Sequence, residues 1–436
     1  MTVNEGGASR RGQGLARLCM AGTFLLLGAC ASDPKEEIGS MPPPGVHFGN
    51  EIVLLDSATE KVVSRMTPDG RVHLIAITAG NDAYHVVVSA QGVERRERIG
   101  DRRYGYYQNL AIADDAQGRL HVALKDEHWI LDKGAWRLAG TQACALLARA
   151  GGALGCVAHV NGSELGTQAQ WGASLIGGLG AGIIIPYRIR PSKLVLAQAV
   201  GDGWSYRSVL AHHLPYLVNL ETYDSGTLAG DATGTFHLLF RAHEGKFSHV
   251  RYDTLTLEAN AQADIEWRRP DEPAIPLGSV ESAPVWPGAN WFVPFDMLAL
   301  AVDPQTGKAL FFARRSESGF GNWTDAVVPV RGEAVGQPVA LPLKRGKPKK
   351  LAPAGDEGFH ALVAVDRNLL YLSYRDDRWS GPVKIGEFGT PSLFLIDNSS
   401  IQLASDGRRQ ALAIWPRKEG VLAGRWIEAK GSGSNQ

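Results

Sequence analysis

The sequence predicts an all-β fold of repeated antiparallel sheets, and three observations carry that reading. Glycine supplies 51 of 436 residues, about 12% against a usual 7%, with no collagen-like period, which fits many tight turns. A short unit recurs: an apolar strand, a turn with Asp and Gly, a second strand often carrying His, then a further strand and a Trp. Its turn glycines, Gly70, Gly118, Gly152, Gly234, Gly307, Gly358 and Gly407, lie 48, 34, 82, 73, 51 and 49 residues apart. Periods near 50 match one four-stranded β-propeller blade, and the two long gaps mark insertions. Seven four-stranded blades are expected, with six or eight also compatible.

Composition sets outer limits. A chain 44% hydrophobic and 21% charged is too apolar for disorder, and 45 basic against 45 acidic residues gives nothing to attract nucleic acid. A monomer without metal or cofactor is expected.

The first 29 residues read as an export signal. Arg10, Arg11 and Arg17 precede the apolar run Leu18–Leu27, which is too short to span a bilayer. Leu27-Gly28-Ala29-Cys30 resembles the lipobox of bacterial lipoproteins. That resemblance implies a lipid on Cys30 and attachment to the cell envelope, at the outer membrane since no Asp follows the cysteine. Loss of residues 1–29 removes three Arg and Glu5 and leaves a net charge of −2. Residues 30–50 read as the lipidated cysteine and a Pro-rich tether, 51–430 as one propeller domain, and 431–436 as a flexible tail.

Cys144 and Cys156 flank a hairpin pattern with its turn near Ala150–Gly152. Folding about Ala150 places them opposite each other, so a disulfide is expected in an oxidising compartment.

The units run in order. Met66-Thr-Pro-Asp-Gly70-Arg-Val-His73 is the first and Leu110-Ala-Ile-Ala-Asp-Asp-Ala-Gln-Gly118-Arg-Leu-His121 the clearest. Gly230-Asp-Ala-Thr-Gly234-Thr-Phe-His237, Asp303-Pro-Gln-Thr-Gly307, Gly355-Asp-Glu-Gly358-Phe-His360 and Ser405-Asp-Gly407 follow, and Gly151-Gly152 belongs to a degenerate unit. Asp caps its own turn and Gly takes a positive φ. Trp136, Trp204, Trp323, Trp379 and Trp426 follow third strands and are expected to wedge between blades. The last unit supplies three strands, so Ile52–Leu55 is expected to complete it and join the two ends of the chain.

This pattern resembles the BNR-like, sialidase-type β-propellers of secreted bacterial proteins over most of Glu51–Lys430. A further constellation is similar to the propeller-type polysaccharide lyases. Tyr106, Tyr107, Gln108 and Asn109 precede the second hairpin, and His128 follows it. Asn109 and His128 match that family's pattern, while Gln108 stands where the family has His. Tyr223 and Arg241 occupy places comparable to its later Tyr and Arg. The resemblance implies β-elimination at a uronic acid, with His128 and Arg241 neutralising the carboxylate and Tyr223 exchanging protons.

Other segments carry weaker signals. His212, His213, His237, His243 and His249 form a His-dense stretch without metal-ligand spacing. Lys344–Lys350 is a basic loop. Insertions fall near 161–190 and 269–295. The uncharged Trp171–Pro186 within the first is expected to be a loop covering one mouth of the ring, with Trp171 a candidate binding residue. The expected function is a lipid-anchored envelope module that binds a glycan or an envelope protein on the face bearing the insertions. The alternative is a polysaccharide lyase acting through His128, Tyr223 and Arg241.

Overall fold

The computed structural model describes residues 42–101, 103–104, 109–141, 144–161, 170–175, 184–189, 192–200, 203–210, 226–244, 247–256, 280–281, 291–292, 299–316, 323–332, 334–343, 346–388, 400–417 and 420–429. All fall in the unit Ile38–Gln436. The expected export signal, Cys30, Tyr106, Tyr107, Gln108, Tyr223, His212 and His213 lie outside the described residues. Among the described residues no helix is long and apolar enough to cross a membrane.

The chain is strand after strand. β1 (Val46–Leu55) comes first, then β2 (Thr59–Met66), β3 (Val72–Thr78), β4 (Ala83–Ser89) and β5 (Gly92–Arg98) form one sheet. β6 (Leu110–Asp114), β7 (Leu120–Leu124), β8 (Glu127–Asp132) and β9 (Ala135–Thr141) form the next. The third uses β10 (Cys144–Ala150) and β11 (Ala153–Asn161), sets aside the hairpin β12 (Gln170–Leu175) and β13 (Ile184–Ile189), and resumes with β14 (Ser192–Val200) and β15 (Gly203–Leu210). β16 (Gly226–Gly230), β17 (Thr235–Glu244), β18 (Phe247–Thr256) and β19 (Val280–Glu281) make the fourth. The fifth is irregular, with β20 (Trp291–Phe292), β21 (Leu300–Val302), β22 (Ala309–Ser316), β23 (Trp323–Arg331), β24 (Ala334–Val335) and β25 (Val339–Ala340). β26 (Lys347–Gly355), β27 (Gly358–Val365), β28 (Asn368–Arg375) and β29 (Arg378–Glu387) make the sixth. In the seventh, β30 (Gln402–Ser405), β31 (Gln410–Pro416) and β32 (Leu422–Ala429) are joined by β1, which pairs with β32 from Val46↔Ala429 to Leu55↔Leu422.

The first long strand of each sheet packs against that of the next, in the order β2, β6, β10, β16, β21, β26, β30 and back to β2. Apolar clusters fill the gaps between consecutive sheets. One holds Leu54, Leu74, Leu412 and Trp426, another Ile75, Ile112 and Val122, another Leu362, Tyr371, Ile385 and Trp415. The core is therefore cut into wedges, because a twisted sheet can bury both faces only against two neighbours.

The recurring turn residues do the work the pattern assigns them. Asp115 Oδ1 accepts the backbone N–H groups of Gln117 and Arg119, and Gly118 takes φ 76°. Asp231 does the same for Thr233 and Thr235, with Gly234 at φ 100°. Two turns differ from expectation. In the degenerate unit Gly151, not Gly152, has the positive φ, at 54°, because the hairpin closes at Ala150↔Ala153. In the sixth sheet Gly355 pairs with Gly358, so Asp356 and Glu357 form the turn, at φ 49° and 57°.

Trp136 donates from Nε1 to Glu97 of the preceding sheet, and Trp426 donates to the Ser89 carbonyl across the junction between the seventh and first sheets. Trp426 lies within the third strand of its sheet and Trp323 starts one, whereas Trp136, Trp204 and Trp379 follow.

Cys144 and Cys156 are disulfide-bonded, with Cα atoms 5.6 Å apart. They are not directly opposite: Cys156 faces Leu147 and Cys144 faces Ala158 across a bulge, since the turn sits later than Ala150. Both are fully buried. Replacing both by Ala is expected to lower unfolding free energy by about 3 kcal/mol, the chain-entropy value for a loop of this length. Urea midpoints of the two proteins measure it.

Strand direction separates the two insertions. β11 runs away from the Asp-Gly turns, so the excursion between Asn161 and Ser192 leaves from the opposite end of its sheet. β18 ends beside Thr235, so the chain after Thr256 leaves from the turn end. The expected single insertion-bearing face is not present. Part of the Trp171–Pro186 segment is a hairpin rather than a loop, with Trp171 paired to Arg188. The β-branched Ile184 and Ile185 favour a strand, and the Gly-rich stretch before them separates it from β12.

Candidate functional site

The first strands enclose a central cavity of about 990 Å³. Their sequences are rich in Ala and Gly because neighbouring backbones converge at the axis. At Gly230 a Cβ would come within 2.2 Å of the Arg149 carbonyl oxygen, so no larger residue fits unshifted. Charged side chains are correspondingly few on this wall. Lys61, Arg65, Arg149, Lys350 and Arg408 line it with Asp114, Asp231 and Asp406, an excess of two positive charges among the lining residues.

At the turn end the arrangement is specific. Asp114, the last residue of β6, is 1% exposed. Its Oδ1 accepts Arg65 Nε–H from β2 at 2.6 Å, and its Oδ2 accepts Arg149 Nη1–H from β10 at 2.7 Å. Three consecutive sheets thus share one carboxylate. Sequence reading passed over these arginines. The signal was the doublet Asp114-Asp115: with a period of two, one Asp caps the turn and the other faces the axis.

The histidines of the repeat are spent inside the sheets. His121 Nε2 meets Asp115 at 3.0 Å and its Nδ1 meets His128 Nε2 at 2.9 Å. His73 and His85 stack and share a 2.9 Å contact, and His85 reaches Glu97 at 2.8 Å. His237 meets Asp231 at 3.2 Å, and the Tyr371 hydroxyl lies 2.8 Å from His360 Nδ1. Burial pushes His73 and His360 down to about 4. It also lowers His85 and His121, against the opposing pull of Glu97 and Asp115. Burial alone would raise the Asp231 carboxyl, but hydrogen bonds led by His237 and Thr233 bring it down to about 2.

His128 is therefore 2% exposed and does not line the cavity. Asn109 does line it, at the end opposite the turns, and its carbonyl accepts the Lys125 N–H. Arg241 lies in β17, opposite Val250. Glu127, beside His128, is 3% exposed and accepts from the Tyr104 hydroxyl and Trp129 Nε1–H. Among the described residues no group of His, Cys, Asp and Glu is placed to hold a metal ion.

Solved structures share the fold. The polysaccharide lyase Uly1 superposes with a TM-score of 0.52 at 8% identity, covering 88% of this chain and 99% of that one. The BP39L lectin from Burkholderia pseudomallei gives 0.50 at 13% identity, covering 87% and 98%. The β-propeller domain of Cps50 (Swd1) from Myceliophteria thermophila gives 0.46 at 10% identity, covering 88% and 100%. The fold is a β-propeller. No protein-family model matches the sequence, and a search of the curated proteins finds no match. At these identities the propeller likeness concerns the fold alone, and the chemistry rests on the residues lining the axis.

Proposed function

We propose that this chain is a seven-bladed propeller, closed by β1 in the last blade, that binds a glycan at its axis and is held to the bacterial envelope by a lipid on Cys30. Seven sheets of four or more strands among the described residues, with first strands touching in cyclic order, support the ring. The lipobox Leu27-Gly28-Ala29-Cys30 supports the anchor. The observation that carries the binding reading over catalysis is the burial of His128 in its hydrogen bond with His121. A group that neutralises the uronate carboxylate must reach it, and this imidazole is enclosed within its blade. A lectin and a lyase on the same fold make carbohydrate the first ligand to test.

The experiment is a pair of assays on one preparation. On a glycan array the chain is expected to retain a defined set of oligosaccharides. Incubated with acidic polysaccharides, it is expected to produce no ultraviolet absorbance from unsaturated uronates. Absorbance that grows with time and disappears in His128→Ala would instead establish the lyase. For the anchor, metabolic labelling with a fatty acid is expected to mark the exported chain and not Cys30→Ala.

A further inference from the structure

We propose that the turn end of the axis is a binding site for the acidic group of a saccharide, a carboxylate or sulfate ester, with Arg65 and Arg149 as its ligands. This rests on the glycan reading and specifies the class of glycan. It places the acidic group at the end of the cavity away from Asn109.

Arg65, Asp114 and Arg149 together carry one net positive charge on the cavity wall. The other two carboxylates there are occupied. Asp231 receives Thr233, Thr235 and His237, and Asp406 receives the backbone N–H groups of Arg408, Arg409 and Gln410. The local balance therefore favours an anion, although the exported chain carries a net charge of −2.

A guanidinium has five N–H groups. Arg65 gives its Nε–H to Asp114. Arg149 gives Nε–H to the Gly151 carbonyl and Nη1–H to Asp114 and the Asp115 carbonyl. The Nη groups of Arg65 and Nη2 of Arg149 remain for a ligand, on side chains 41% and 33% exposed. Two guanidinium planes already immobilised by a shared buried carboxylate lose little further freedom on meeting an oxyanion. Charge-assisted pairs of this kind are the strong ones.

Titration calorimetry of the full chain tests it with three probes: a glucuronate-containing oligosaccharide, its neutral glucose counterpart, and inorganic sulfate. The acidic oligosaccharide is expected to bind at least tenfold more tightly than the neutral one and than sulfate. Arg65→Gln and Arg149→Gln are each expected to cost tenfold or more on the acidic probe and under twofold on the neutral one. Arg65→Lys keeps a cation beside Asp114 should the glutamine variant not fold, and is expected to lose affinity because the planar fork is gone. Arg408→Gln, outside the Asp114 cluster, is expected to cost two- to threefold through the field alone.

Equal binding of acidic and neutral probes, or acidic binding untouched in Arg65→Lys and Arg149→Gln, would overturn this site while leaving the glycan reading in place. Sulfate binding as tightly as the acidic oligosaccharide would make it a bare anion site and overturn the saccharide. Binding of none of the three would remove the site, and an empty glycan array would remove the glycan reading as well.

Discussion

Trp415→Ala is expected to cost about 3–5 kcal/mol of unfolding free energy, as large aromatic truncations in packed cores do. Trp415 is fully buried between the sixth and seventh sheets, among Leu362, Tyr371, Ile385 and Ile427. Its ring lies on Gly386, where an added Cβ would meet ring atom Cε2 at 2.4 Å. The indole Nε1–H has no partner among the described residues. Trp415→Phe therefore fills most of the space and removes an unsatisfied donor, and is expected to cost well under half as much. Urea unfolding followed by far-ultraviolet circular dichroism separates the two. Gly386→Ala should be destabilising by itself and less so in the Trp415→Ala background, because the cavity accepts the methyl group. Equal costs for Ala and Phe at position 415 would mean that the wedge does not hold the junction.

Mild acid is expected to weaken the fold well before its carboxylates titrate. His360 is fully buried and, with His73, stays neutral down to about pH 4 in the folded chain. In the unfolded chain both take a proton near pH 6.5. Between pH 6.5 and 4 the unfolded state binds more protons, so stability present above pH 6.5 is lost as the pH falls through that window. At 1.36 kcal/mol per pH unit, His360 contributes a loss of about 3 kcal/mol, and the less buried His73 a smaller one. The lowered His85 and His121 act in the same direction. Urea midpoints at pH 7, 5.5 and 4 measure the total. His360→Phe is expected to flatten its share of the slope. A midpoint independent of pH over this range would show that these rings are not held neutral.

Much of the fold is legible in the sequence because turn chemistry is local. Asp115 and Gly118 meet across four residues, and the geometry they require is written in their side chains or lack of one. The same holds for strands such as Val72–Thr78, whose β-branched content needs no distant partner to be recognised. Where local signals compete, sequence reading slips by a residue or two, as at Gly151 and at the Asp356-Glu357 turn. Both slips moved side chains relative to their partners, and the first also shifted the disulfide register.

The candidate site was far less legible. His128 looks like chemistry because its neighbours in sequence are polar, yet the ring it stacks on, His121, arrives from an adjacent strand. Arg65, Asp114 and Arg149 are 49 and 35 residues apart and carry no shared motif. The sequence by itself determined the strand-and-turn repeat, the all-β class and a disulfide-compatible pair of cysteines, since each depends on neighbours along the chain. Only the tertiary structure decided which polar groups face inward between blades and which face the axis. That choice depends on how neighbouring twisted sheets lean on one another, and no stretch of one blade contains it.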